Sequence, residues 1–166
     1  MTPKVKVLDF EKLRKALDAG NKPLDILVKE PEIVYVIMVT RDRCSSCQEQ
    51  KPLFEKLADK IRKKHAGQIQ FFRVHSSYSL KRKEEARQCL NAFHTAGFPT
   101  YIMAIKDSEG NILETYRSLD APISEIERNM NVSFSVLDLI RKRNTTQSRR
   151  APVRQDPTKN PIVQDE

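Results

Sequence analysis

Two thiols three positions apart, Cys44 and Cys47 in Arg43-Cys44-Ser45-Ser46-Cys47-Gln48, are the residues of this chain best able to do chemistry. Such a pair can close and reopen a disulfide: one sulfur attacks as thiolate, and the second resolves the mixed disulfide that the first has formed. The same spacing supplies half of a tetrahedral zinc site. Completing that site would fall to Cys89, His65, His75 or His94, since the sequence has no second CxxC. Cys89 and His94, five apart on one predicted helix, diverge by about 140° at 3.6 residues per turn and converge poorly on one ion. Redox exchange is the leading reading, with zinc binding and two idle, half-buried cysteines as its alternatives. Cys89 falls on the inner side of its helix and reads as a small buried hydrophobe. His75 and His94 lie in no recognised motif and read as surface or loop residues.

A reactive thiol has to be positioned, and the neighbouring sequence indicates how. Residues 33–40 are apolar at nearly every position, the pattern of a central strand covered on both faces. Leu53, Leu57 and Ile61 then recur every four residues, so a strand hands over to a helix at the cysteines. Cys44 is expected at the helix start, where free amides and the macrodipole favour an anion and Arg41 and Arg43 add positive charge. Cys47, one turn further in, reads as the resolving thiol. This helix is expected over about residues 46–64, with a kink near Gln48 caused by Pro52.

Elsewhere the patterning predicts strands over 4–8, 68–75, 100–105 and 112–117, and helices over 10–19, 80–95 and 124–143. Residues 21–32 are ambiguous: Pro23 could open a helical turn, while Leu24, Ile26 and Val28 alternate as in a strand. From Asn144 the apolar pattern stops, and Pro152, Pro157 and Pro161 punctuate a polar stretch that reads as a disordered basic tail over 144–166.

At 166 residues the chain is one ordinary domain with sequence to spare, and three cysteines are too few for a secreted disulfide scaffold. Residues 1–7 lack the apolar run of a signal peptide, and no segment approaches the roughly 20 apolar residues that cross a bilayer. The expectation is a soluble, cytoplasmic protein with no membrane partner. The net charge of +8 divides evenly, because residues 141–166 hold seven basic and three acidic residues and the body carries the other +4. The helices mix Lys, Arg and Glu as solvated faces do, and no aromatic-basic motif accompanies them, so nucleic acid is not an expected partner.

Further marks surround the cysteines: Pro52 lies five residues after Cys47, and Gly97-Phe98-Pro99-Thr100 precedes a strand opening Tyr101-Ile102-Met103. With the apolar strand running into CxxC and the order of elements over about residues 5–143, the chain resembles the thioredoxin family. The resemblance implies a thioredoxin-like α/β fold over residues 1–143, a three-layer α/β/α sandwich with a mixed central sheet and an antiparallel C-terminal hairpin. It implies a thiol-disulfide oxidoreductase acting on proteins that carry disulfides or dithiols, with Cys44 attacking and Cys47 resolving. No metal or organic cofactor would be needed, but turnover would require an external reductase or oxidant. By the same resemblance Pro99 is cis, its loop faces the disulfide, and the Phe98 backbone pairs with an extended substrate segment. Arg43, beside the attacking cysteine, joins Phe98 and Pro99 as a substrate-binding candidate; its side chain could steer acidic partners or simply be solvated.

The chain also departs from that family. Arg43 stands where tryptophan is usual, and Ser45-Ser46 replaces Gly-Pro. Met38 stands where a buried carboxylate usually assists proton transfer at the second cysteine. These differences keep a second reading open, a thioredoxin-like binding module or adaptor with little or no redox turnover.

Overall fold

A computed structural model describes residues 4–150, and within them the apolar run becomes the centre of a five-stranded sheet. The strands are β1 (Lys6–Asp9), β2 (Val34–Arg41), β3 (Ile69–Ser76), β4 (Thr100–Lys106) and β5 (Ile112–Leu119). The helices are α1 (Phe10–Asp18), α2 (Pro23–Leu27), α3 (Ser45–Lys64), α4 (Glu84–Phe93) and α5 (Ile123–Arg150). Strand order is β1-β3-β2-β4-β5. β3 pairs parallel with β1 and β2, whereas β4 pairs antiparallel with β2 and β5. The sheet is therefore mixed and ends in an antiparallel hairpin.

Because side chains alternate across a strand, the continuous apolar run of β2 feeds two cores. Val34, Val36 and Met38 face α3 and α5, meeting Phe54, Leu57, Ile61, Ile126, Met130 and Leu137. Tyr35, Ile37 and Val39 face the other helices, among Phe10, Leu13, Leu27, Cys89 and Phe93. Phe54 is fully buried and meets Phe71 edge-on at 5.7 Å between ring centroids. Burying one such side chain is worth about 1.5–3 kcal/mol, so a few of them clamp α3 onto the sheet and fix where its N-terminus points.

Three stretches differ from the expected layout. The ambiguous residues form α2, with Pro23 in the first turn, where its missing N–H costs no helical bond. Helix α4 begins at Glu84, later than expected, because residues 79–82 close on themselves. There Ser79 and Arg82 exchange backbone hydrogen bonds at 3.1 and 3.0 Å, and Ser79 Oγ accepts from Arg82 N–H at 2.9 Å. Helix α5 continues to Arg150, so a disordered tail beginning at residue 144 is not what the chain forms. No Gly or Pro interrupts residues 144–150, and Asn144 Nδ2 donates to Glu32 Oε1 at 3.1 Å. The Thr145 and Thr146 hydroxyls add bonds to the carbonyls of Arg141 and Lys142, each at 3.0 Å. Residues 151–166, the rest of the expected tail, lie outside the described residues. Among the described residues no helix is long and apolar enough to cross a membrane.

Candidate functional site

Strand β2 ends at Arg41, and the chain has to reverse toward α3 within three residues. Arg43 makes the turn in the left-handed region, at φ 53°, and Asp42 N–H anchors it by donating to Ser76 O at 3.0 Å. Cys44 follows as the N-cap of α3, its sulfur accepting the Cys47 N–H at 3.1 Å. The contact aims a helix-end donor at the sulfur. Cys44 and Cys47 are joined by a disulfide with 5.2 Å between their Cα atoms. Both residues are largely covered, at 7% and 4% exposure, so burial alone does not separate an attacking from a resolving thiol. Their surroundings differ: Cys44 meets the loop before β4, and Cys47 lines a cleft on the β3 side.

That loop holds the other expected residues. The Phe98-Pro99 peptide is cis, and Phe98 O lies 3.8 Å from Cys44 Sγ. A disulfide sulfur carries no hydrogen, so this is a close contact; the reduced thiol could donate across it. Thr100 Oγ1 donates to Gly97 O at 2.8 Å, which leaves Thr95 Oγ1 as the donor in the bond between the two threonine hydroxyls. Pro99 O accepts from Asp120 N–H at 2.8 Å. Phe98, outside β4, takes part in no backbone hydrogen bond among the described residues, so its N–H and C=O are open to an added extended segment.

Two polar groups flank the disulfide, and Gln50, Asp120, Tyr101 and Arg73 within them were not among the sequence-based candidates. On the β5 side, Asp120, at φ 52°, accepts from Ser46 Oγ and, at 2.8 Å, from Gln50 Nε2. The buried Tyr101 hydroxyl completes this chain by donating to Gln50 Oε1, and burial raises its pKa well above the ordinary tyrosine value. On the β3 side, a cleft of about 280 Å³ is lined by Thr40, Arg41, Asp42, Arg43, Cys47, Gln48, Lys51, Arg73 and His75. Arg73 pairs with Met38 in the β2–β3 register, so a cation adjoins the position at which the chain departs from the family it resembles. Half-burial lowers the Arg73 pKa, with Glu55 and Asp9 acting against that shift.

Arg73 Nη1 lies 3.3 Å from His75 Nδ1; a guanidinium can only donate, so Nδ1 accepts and Nε2–H points to Asp42 Oδ1 at 2.7 Å. That bond, more than any other influence, holds the Asp42 carboxyl below its usual range. His75 is thus tied into a network beside the dithiol, not a bare surface residue. Cys89 sits in the opposite core, where burial pushes its thiol up to about 12 despite a hydrogen bond with Ser76.

No family model matches the chain, and no curated protein matches it in sequence. Solved structures do match in shape. Trichomonas vaginalis thioredoxin aligns with a TM-score of 0.55 at 13% identity, covering 78% of this chain and 97% of that one. Chlamydomonas reinhardtii thioredoxin f2 aligns at 0.53 and 13% identity, covering 78% and 95%. A chain in the crystal structure of a ferredoxin:thioredoxin reductase and thioredoxin f2 complex aligns at 0.51 and 10% identity, covering 80% and 98%. The protein has a thioredoxin-like fold, and it carries a CxxC pair at the start of α3.

Proposed function

We propose that the protein is a thiol-disulfide oxidoreductase that exchanges disulfides with polypeptide substrates through Cys44 and Cys47. The observation that carries this reading is the placement of Cys44 Sγ between the Cys47 N–H, at 3.1 Å, and Phe98 O, at 3.8 Å. One contact favours a sulfur anion; the other brings the sulfur to a backbone edge able to hold an extended chain. In the reducing direction the Cys44 thiolate attacks one sulfur of a substrate disulfide and expels the other, which takes up a proton. Cys47 then gives up its proton and attacks Cys44 Sγ, releasing the second substrate thiol. The substrate gains two electrons and two protons, and Cys44 and Cys47 end as the disulfide. The opposite direction is the same sequence reversed. Turnover needs an external dithiol reductase or an oxidant; a structure of this fold has been crystallised in a complex with a ferredoxin:thioredoxin reductase. Phe98, Pro99 and Arg43 bind the substrate segment in this reading.

The test uses insulin reduction driven by dithiothreitol. The wild type should accelerate it, Cys44→Ser should abolish the acceleration, and Cys47→Ser should accumulate a mixed disulfide with insulin at Cys44. Unchanged acceleration by Cys44→Ser would overturn the assignment.

A further inference from the structure

The positive charge at the site lies on one side of it. Arg41, Arg43, Lys51 and Arg73 border the cleft beside Cys47, with Asp42 as the carboxylate lining it. Asp42 is already engaged, by His75 and by the Tyr78 N–H at 3.2 Å. Among the described residues none of the three arginines makes an ion pair within 4.0 Å, and Lys51 reaches Glu55 only at that distance. Arg41 is moreover held in place: its guanidinium carbon lies 4.0 Å from the Tyr78 ring centroid and 5.9 Å from that of Phe98. An arginine packed against a ring loses less freedom when it takes a ligand. Across the 98–99 loop stands Asp120, of opposite charge, tied to Pro99 O through its own N–H.

We infer that the Arg41 side of the groove takes a substrate carboxylate, so that the favoured substrates carry Glu or Asp within a few residues of the exchanging cysteine. This rests on the exchange reading above and names its substrate class. An extended segment along Phe98 advances about 3.3 Å per residue, so a side chain two or three positions from the reacting cysteine reaches the cleft. On the other flank, Asp120 repels a second acid, which gives the substrate an orientation.

The test has a redox-independent arm. Fluorescein-labelled peptides with serine in place of the central cysteine, differing only in Glu or Gln two residues away, are titrated with the oxidised protein and followed by anisotropy. In the second arm the cysteine versions, as mixed disulfides with mercaptoethanol, are exchanged with the reduced protein and followed by mass spectrometry. Both arms should favour Glu by about tenfold at low salt, falling to about twofold in Arg41→Gln/Arg43→Gln. The preference should survive in Lys12→Gln/Lys15→Gln, which removes the same amount of charge from exposed positions of α1 that do not line the cleft. Absence of a Glu preference, its survival in the arginine variant, or its equal loss in the α1 variant would overturn the inference. A Glu preference in binding without any exchange would instead sink the oxidoreductase reading and leave the acidic site standing.

Discussion

Replacing Tyr101 by Phe tests whether the polar chain on the β5 side is a working part of the site. Tyr101 is fully buried, and its hydroxyl donates to Gln50 Oε1, while Gln50 Nε2 holds Asp120 at 2.8 Å and Ser46 at 3.2 Å. Tyr101→Phe keeps the ring and deletes one bond, costing about 1–2 kcal/mol, or on the order of 0.5–1 M in a urea midpoint. Gln50→Leu should cost more, because it strands the buried hydroxyl; the double variant should then lose less than the sum of the two. pH gives a sharper signature. The folded-state pKa of Tyr101 is raised above the ordinary value near 10, so its contribution is complete below pH 10 and is lost as pH rises toward the folded value. Above pH 10 the wild type should lose up to about 1.4 kcal/mol per pH unit that the Phe variant does not, so the two stabilities converge about one unit higher. Urea melts of the oxidised proteins from pH 8 to 11 measure both effects. Curves that run parallel across that range would refute the reasoning.

Two further outcomes follow from named groups. With its thiol near 12, Cys89 has a thiolate fraction at pH 8 on the order of one in ten thousand, about a thousandfold below an unshifted thiol. Iodoacetamide added to the reduced protein should spare Cys89 while labelling Cys44; labelling of both in step would contradict the buried placement. Asp42→Asn should destabilise the protein at pH 7 by less than about 1 kcal/mol, because the carboxylate is half exposed and screened. Its folded pKa is depressed, so that deficit should fade as pH falls from about 4 through the folded value; a deficit that failed to fade below pH 4 would contradict the assignment.

What could be read in advance was local. The apolar run of β2 has no polar residue from Val34 to Val39, and a strand of that kind has to be covered on both sides; it lies at the centre of the sheet. Leu57 and Ile61 likewise pointed to the face on which α3 packs. Asp120 and Tyr101 escaped notice because their link to Ser46 and Gln50 spans 74, 70 and 51 positions of sequence and exists only once β4 and β5 pair. Arg73, and the place of His75 beside the dithiol, could not be read for a related reason: only the parallel register sets them beside Met38 and Thr40. Helix α5 outlasts its apolar periodicity, because loss of an apolar face is not loss of helix. A solvated helix needs no apolar face once Glu32 ties it down through Asn144 and Arg141.

That long helix also works as a ruler. It starts three residues after Asp120, beside the dithiol, and its Arg141 and Asn144 contact Glu32, next to the opposite end of β2. Its 28 residues span roughly 42 Å at 1.5 Å each. A dye or fusion attached at Arg150 therefore stands at the far pole from Cys44, clear of any chain docked on Phe98. The distance between such a dye and a labelled substrate would report where along the groove the substrate's own termini leave the surface.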